Sequence, residues 1–209
     1  MNFFHKIPLA VFRLLYPGKF YGKENIPQGK VVIIANHFHA VDCGFIARVY
    51  NKDIYFLAKK ELFENKFFGK IIKSFGAIPV DRKNPDMQSM LACMRILKDE
   101  HKLVVFPEGT RNKTGTTELQ PIMGGAMIFA VKAKSPIVPI IINNKPRIFR
   151  KTFVMIGKPF ELDEFYGKKL TEETISELEV VVTAKMKELQ QELFETIKKR
   201  KEKSKNKTK

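Results

Sequence analysis

Short apolar runs that alternate with helical segments constrain the fold of this chain more than any other feature. The runs are rich in β-branched residues, which is typical of buried strands. We predict strands at Val31–Ala35, Ile54–Ala58, Ala77–Val80, Leu103–Phe106, Ile137–Ile142 and Phe153–Ile156. The segments between them predict helices at Asp42–Tyr50, Asn65–Ser74, Asp86–Lys98 and Gly124–Ala133. This alternation predicts a single α/β domain, with a mixed, mostly parallel β-sheet flanked by helices.

The two ends of the chain differ from this pattern. Residues 1–21 combine apolar and basic residues at helical spacing, with a helix expected from about Pro8 to Tyr16. This segment is either an amphipathic membrane-contact element or a helix that covers the core. The main domain is expected at residues 22–197, and its last element is a long helix from Thr171 with an apolar stripe. Residues 198–209, with eight basic residues and one acid, are expected to be a disordered basic tail.

The chain is strongly basic, with a net charge of +16 from 38 basic and 22 acidic residues. Such a charge favours partners that are anionic: nucleic acid, an acidic membrane surface, or acidic and phosphorylated molecules. Two cysteines make neither a disulfide framework nor a zinc motif, so a reducing compartment is expected. We find no apolar run long enough to span a bilayer and no clear signal peptide, and therefore expect a cytoplasmic location.

The pair His37 and Asp42 is the strongest candidate for catalysis. His37 follows the predicted strand Val31–Ala35 closely, at the end of a strand where α/β sheets place their ligands. On one continuous helix residues five apart would point away from each other, so the pair needs a turn between them. An imidazole held by a carboxylate is the general-base part of a catalytic triad, and a substrate hydroxyl can take the place of the serine.

Three further segments stand near strand ends. Residues 76–82 end in Arg82, which can hold a phosphate or simply pair with Asp81. Residues 106–111 offer Glu108, a flexible Gly109, and Thr110 and Arg111 as anion donors. Val138 and Pro139 lie in an apolar strand, where they either contact an acyl chain or pack in the core; the proline suggests an edge, a bulge or a kink.

Together these four segments resemble the glycerolipid acyltransferase family, in particular the 1-acylglycerol-3-phosphate acyltransferases. Asn36-His37-x4-Asp42 matches the first family motif, Gly76–Arg82 the second, Phe106–Arg111 the third and Val138-Pro139 the fourth. The resemblance extends over roughly residues 21–160. The chain departs from the family pattern at His39, where a small hydroxyl residue is common, and at Met123, where a lysine is common.

The resemblance implies a glycerol-3-phosphate acyltransferase-like fold, with residues 22–197 as the acyltransferase domain. It implies transfer of a fatty acyl group from acyl carrier protein or coenzyme A to the sn-2 hydroxyl of lysophosphatidic acid, giving phosphatidic acid. His37 would be the base and Asp42 its orienting partner, with no acyl-enzyme. The acceptor would be bound by Lys59, Arg82, Glu108, Gly109, Thr110 and Arg111, and the acyl chain would contact Val138 and Pro139. The acyl donor is a co-substrate, and no cofactor or metal is expected. The enzyme would associate peripherally with the inner face of the cell membrane.

Other interpretations remain open at this stage. The acceptor could be glycerol 3-phosphate or another lysophospholipid. Cys43 could act as a nucleophile, although a small apolar residue at a helix start is the simpler interpretation. His37 and His39 could bind metal, but histidines one apart on a strand face opposite ways and a third ligand is missing. A non-catalytic membrane-surface protein or a nucleic-acid-binding protein would also be basic, but the chain has no nucleic-acid-binding signature.

Overall fold

The computed structural model of the protein describes residues 10–50, 53–80 and 87–206. Its centre is a sheet of seven strands with the spatial order β1-β7-β6-β2-β5-β3-β4. The strands are β1 (Gly18–Tyr21), β2 (Val31–Ala35), β3 (Ile54–Lys59), β4 (Ala77–Val80), β5 (Lys102–Val105), β6 (Ile137–Ile142) and β7 (Thr152–Ile156). The six strands predicted from the sequence are therefore confirmed, with shifts of one residue at some ends.

Five neighbouring strands, from β6 to β4, run parallel to one another. Ile33 at the middle of β2 pairs with Val104 of β5 on one side and with Val138 of β6 on the other. Because β7 pairs with β6 in the antiparallel sense, the sheet is mixed and mostly parallel, as predicted. The carboxyl ends of the five parallel strands consequently meet at one edge of the sheet.

Helices cover both faces of the sheet. They are α1 (Asp42–Tyr50), α2 (Lys66–Ser74), α3 (Met87–Lys98), α4 (Ile128–Ala133) and α5 (Glu172–Asn206). One buried cluster joins α1 to the face that carries Val31, Ile33 and Val104. A second cluster joins α3, α4 and α5 to the opposite face. The central strands β2 and β6 are thus buried on both faces, which explains why their sequences are continuous apolar runs.

The sheet begins earlier in the chain than the sequence indicated. Strand β1 starts at Gly18 and pairs with β7, so the sheet includes residues that we had assigned to the N-terminal segment. The expected helix is present over residues 10–15, and Pro8 lies outside the described residues. Phe12 of this helix packs against Phe45 of α1 at 5.3 Å between ring centroids. This helix therefore belongs to the layer on the α1 face of the sheet.

Helix α5 continues through Asn206, so residues 198–206 are helical rather than disordered as we expected. Lysine, arginine and glutamate are good helix formers, and cations at a helix carboxyl end interact favourably with the helix dipole. The apolar stripe of α5 is confirmed, because Leu178, Val182, Met186, Leu189 and Leu193 are buried. In the described ranges, no helix is both long enough and apolar enough to cross a membrane.

Pro139 does not mark an edge strand, contrary to one of our expectations. Strand β6 lies inside the sheet, and Pro139 pairs with Ile34 of β2. The carbonyl of Pro139 accepts a hydrogen bond from the backbone N–H of Gly157, at 2.9 Å, one residue beyond the end of β7. The backbone N and O atoms of one strand residue point to the same side of the strand. The N atom of Pro139, which carries no hydrogen, therefore faces the end of β7, where the ladder of hydrogen bonds stops. A central proline is tolerated at this position.

Candidate active site

His37 and Asp42 meet at the edge of the sheet where the parallel strands end. The His37 Nδ1 atom lies 2.9 Å from Asp42 Oδ2, and both side chains are buried. Residues 37–41 form the connection from β2 to α1, and the N–H of Asp42 donates to the His39 carbonyl at 3.0 Å. Asp42 is the first residue of α1, so the predicted turn between the two side chains, with the aspartate at the helix start, is confirmed.

The Asp42 carboxylate is held by two backbone donors as well as by the imidazole. The N–H groups of Phe38 and His39 donate to Oδ2, each at 2.7 Å. Oδ1 is buried, and within the described residues no donor reaches it. With Nδ1 engaged by the carboxylate, Nε2 is the ring nitrogen that can take a proton from a substrate.

The loop after β5 packs directly on His37. The Phe106 ring stacks on the imidazole with centroids 4.0 Å apart and an interplanar angle of 20°. The N–H of Asn112 donates to the His37 carbonyl at 2.7 Å. A backbone hydrogen bond from His37 also reaches the Glu108 carboxylate. Motifs distant in sequence are therefore joined around one imidazole, whose ring plane is fixed by Phe106 on its face and Asp42 at its edge.

Glu108 is a buried carboxyl group of this loop, with 6% of its surface exposed. Burial, first, and the negative charge of Asp42 together raise the pKa of Glu108 to about 7. Backbone hydrogen bonds from His37 and Gln120 act in the opposite direction and lower this pKa. The Oε2 atom is buried without a hydrogen-bond partner among the described residues. The negative charge of Asp42 thus opposes ionisation of Glu108.

The other predicted residues of this loop lie toward solvent. Gly109 has a φ of +65°, and a Cβ atom there would come within 2.5 Å of the Met123 sulfur. Thr110 and Arg111 are exposed. Burial, first, raises the pKa of the Cys43 thiol, next to Asp42, and the charge of the nearby Arg111 is a smaller effect in the opposite direction. Arg111 therefore opens on the same region as the dyad and not on a remote surface.

Lys59 belongs to the far side of the parallel block. Lys59 is exposed at the end of β3 and pairs with Val80, the last residue of β4. Strand β3 is separated from β2 by β5, so Lys59 starts roughly 10 Å to the side of the His37 strand. Arg82 lies outside the described residues, two positions after the end of β4. The predicted role of each in anion binding stays a prediction.

Val138 and Pro139, the predicted acyl-chain contacts, are buried in the middle of the sheet. Val138 packs into the cluster that contains Phe38 and Phe106, on the α1 face. On the other face, a Cβ atom on Gly157 would meet both Pro139 and Leu189 of α5. This environment is that of core packing, the alternative considered above, and an acyl contact at either residue stays a prediction.

The alternative chemistries receive little support from the geometry. Burial, first, and the Asp42 charge raise the pKa of the Cys43 thiol to about 12. At neutral pH such a thiol is almost entirely protonated, and the thiolate is the nucleophilic form. His39 Nδ1 accepts from the Val41 N–H at 3.4 Å, instead of joining His37. Within the described ranges, no three His, Cys, Asp or Glu side chains form a metal-binding group.

Two features of the site were not predicted from the sequence. Asn112 anchors the β5 loop, because its side chain also donates to the Glu118 carbonyl at 2.8 Å and accepts from Thr114. An asparagine in a loop often bonds nearby backbone, but nothing in the spacing linked it to His37. The second feature is a group of basic residues in the β6–β7 loop, which borders a cleft beside His37. The sequence contains these cations in one cluster, and only the fold shows which strands they flank.

Comparison with known proteins defines the class of this protein. A family model described as Acyltransferase matches residues 18–143, from the first strand of the sheet to the end of β6. The match covers more than half of the chain and includes both members of the dyad and the β5 loop. The chain therefore belongs to the acyltransferase family.

Curated relatives and a solved structure agree with this assignment. The chain is 32% identical to the 1-acyl-sn-glycerol-3-phosphate acyltransferase of Bacillus subtilis, over 84% of this chain and 89% of that protein. It is 35% identical to the Helicobacter pylori protein of the same name, over 64% of this chain and 54% of that one. The crystal structure of the 1-acyl-sn-glycerophosphate (LPA) acyltransferase PlsC from Thermotoga maritima superposes with a TM-score of 0.62 at 23% identity. That superposition covers 89% of this chain and 77% of the other, and it supports the predicted fold.

Proposed function

We propose that this protein transfers a fatty acyl group from a thioester donor to the sn-2 hydroxyl of 1-acylglycerol 3-phosphate, giving phosphatidic acid. The observation that carries the proposal is the buried contact of 2.9 Å between His37 Nδ1 and Asp42 Oδ2, at the edge where five parallel strands end. Relatives named for this reaction, at 32% and 35% identity, support the choice of acceptor.

His37 acts as the general base in this proposal. Its Nε2 atom takes the proton of the sn-2 hydroxyl as the hydroxyl oxygen attacks the thioester carbonyl carbon. Asp42 keeps the proton of Nδ1 in place and stabilises the imidazolium that forms. Collapse of the tetrahedral intermediate breaks the carbon–sulfur bond, and the imidazolium returns its proton to the leaving thiolate. The products are the ester and the free thiol, so protons and electrons balance without a further reactant.

The acceptor phosphate is held beside the dyad by cations and donors that follow the parallel strands. Arg111 is the main contact, because a guanidinium binds a phosphate through two parallel hydrogen bonds and this one lies close to Cys43. The Thr110 hydroxyl adds a donor next to it, and Gly109, which has no side chain, lets the backbone approach the ligand closely. Lys59, at the end of β3, and Arg82, beyond β4, complete the anion site from the neighbouring strands. Glu108 accepts backbone hydrogen bonds from His37 and Gln120 and so joins the β5 loop to the dyad.

The protein works at an anionic membrane surface, on the inner side of the cell membrane. Val11 and Leu14 on the helix over residues 10–15 are exposed, as are Ile148 and Phe149 on the β6–β7 loop. The two elements touch, since the Phe149 N–H donates to the Leu15 carbonyl at 2.7 Å. Phe149 has a φ of +57°, a conformation that costs a non-glycine residue energy. An exposed aromatic residue held in this way among basic residues supports contact with lipid.

A product assay tests the proposed reaction. Purified protein is given acyl-coenzyme A or acyl carrier protein thioester, together with lysophosphatidic acid, glycerol 3-phosphate or lysophosphatidylcholine, and products are identified by mass. We expect phosphatidic acid from lysophosphatidic acid, and we expect the Cys43→Ala variant to retain most of the activity. The assignment of the acceptor fails if lysophosphatidic acid yields no product. Loss of turnover in a folded Cys43→Ala variant would contradict direct attack.

A further inference from the structure

A basic cleft of about 710 Å³ lies beside His37 and takes part in no step of the reaction proposed above. One wall is the loop after Asn112, which contributes Lys113, and the other is the β6–β7 loop. The basic side chains on its lining are Lys113, Lys145, Arg147, Arg150 and Lys151, and the lining contains no aspartate or glutamate. Within the described part of the chain, none of these five cations forms an ion pair with a carboxylate.

The cleft borders the dyad through Phe38 and Asn112, and Lys113 on its lining is two residues from Arg111, the phosphate contact proposed above. Phe38, which lines it, directly follows His37, and the N–H of Asn112 bonds the His37 carbonyl. In the sheet, β6 and β7 lie on one side of β2, whereas β5, β3 and β4 lie on the other. Lys59 ends β3 of the second group, whereas four of the five cleft cations follow β6 of the first group and Lys113 follows β5. The arrangement offers His37 two anion sites, one for each substrate.

The charge of the cleft decides which donor fits it. Five unpaired cations in a concave site would strongly bind several negative charges at once. Coenzyme A has three phosphate groups with about four negative charges, whereas the prosthetic arm of a carrier protein has a single phosphodiester. The volume also falls within the range of roughly 300–1,000 Å³ that is usual for small-molecule sites. A protein partner would need a broad surface, larger than this concave cleft.

We propose that this cleft binds the phosphate groups of an acyl-coenzyme A donor, so that its thioester reaches His37 from the β6–β7 side. The proposal rests on the acyl transfer proposed above and adds the identity of the donor and its site. The uncharged donors on the lining, Thr116, Thr117 and Asn144, can bond phosphate or ribose oxygens between the cations.

A double variant with one substitution on each wall tests the proposal, Lys113→Gln with Lys145→Gln. Both side chains are exposed, so the fold should be retained. The matched control is Lys132→Gln with Lys187→Gln, which removes the same charge from exposed positions on α4 and α5. The assay uses a short-chain, water-soluble lysophosphatidic acid, so that membrane binding does not affect the rates.

We expect the cleft variant to raise the KM for acyl-coenzyme A by about tenfold or more, because charge-assisted contacts to phosphate are lost. The KM for the acceptor should stay within about twofold, and the control should resemble the wild type. Adenosine 3′,5′-bisphosphate, used as a probe, should compete with acyl-coenzyme A and bind the cleft variant about tenfold more weakly.

Other results would overturn the proposal. If the cleft variant raises only the KM for lysophosphatidic acid, the cleft is an acceptor site. Turnover with the acyl carrier protein thioester but not with acyl-coenzyme A would exclude a nucleotide donor. Equal effects of the two double variants would indicate a non-specific effect of charge. Calorimetric binding of the bisphosphate does not depend on turnover. If transfer fails with every donor but binding and its loss are seen, the reaction proposal fails while the cleft assignment is supported.

Discussion

At the scale of single residues, the site depends on how buried polar groups are paired. Asp42 Oδ2 accepts from the His37 imidazole and from two backbone N–H groups, so its position is fixed before any substrate arrives. The sequence could predict this pair, because a histidine just after a strand and an aspartate at the next helix start are local features. It could not predict that Phe106 stacks on the imidazole or that Asn112 bonds its backbone, since these contacts depend on the pairing of β2 with β5.

Glu108 gives a prediction for stability as a function of pH. Burial raises its pKa in the folded protein from 4.5 to about 7. Between these values the folded state binds more protons than the unfolded state, so this group makes the free energy of unfolding decrease as pH rises from 4.5 to 7. The change amounts to about 3 kcal/mol, with one pKa unit worth about 1.4 kcal/mol. The Glu108→Gln variant lacks this titration.

Urea unfolding of the wild type and of Glu108→Gln at several pH values checks this prediction. The free energy of unfolding of the variant, relative to the wild type, should increase by about 3 kcal/mol from pH 4.5 to pH 7.5. Glu177→Gln, at an exposed position on α5, controls for the loss of a carboxylate. A constant difference between Glu108→Gln and the wild type across this range would show that Glu108 is not a perturbed carboxyl.

At the scale of elements, apolar runs in the sequence predicted six of the seven strands and missed only the edge strand β1. Strands β2 and β6 are buried on both faces, so their composition alone indicates strands. Strand β1 is an edge strand of four residues that includes glycine and lysine, and its apolar content is too low to mark it. We expected the tail after Ile197 to be disordered because its sequence is rich in charge and cannot form a core. Such a sequence can still extend a helix that is already nucleated.

The helix over residues 10–15 and the β6–β7 loop supply a prediction about membrane binding. Leu14 is 72% exposed and Phe149 is 70% exposed. Transfer of each side chain into lipid is worth about 1.5–3 kcal/mol. Replacing both, as Leu14→Ser with Phe149→Ser, should therefore weaken binding to vesicles that contain anionic lipid by at least about tenfold, measured by vesicle flotation.

A control on the other side of the molecule makes this experiment specific. Val180→Ser with Phe194→Ser changes exposed apolar residues of α5, which packs on the opposite face of the sheet from Phe12. This control should float like the wild type. Equal flotation of the wild type and both double variants would contradict lipid contact at Leu14 and Phe149. The rate of turnover with a water-soluble acceptor should be the same in all three proteins.

At the scale of the whole molecule, function follows from where parallel strands end. His37, Arg111 and Lys59 come from connections after three different strands, and parallel pairing brings these connections to one edge. Sequence motifs identify such residues but do not show which sides of the dyad they occupy. The cleft was missed for this reason, because its cations belong to loops after β5 and β6 that only the strand order places together.

In the proposed reaction His37, oriented by Asp42, removes the proton of the acceptor hydroxyl. The most direct test is the initial rate of phosphatidic acid formation by His37→Ala at saturating donor and acceptor, next to the wild type and with circular dichroism to verify the fold. Since a positioned general base typically contributes a factor of about 10²–10⁴, we predict a loss of at least about 100-fold in kcat. A folded His37→Ala protein that retains a rate within about fivefold of the wild type would contradict the account.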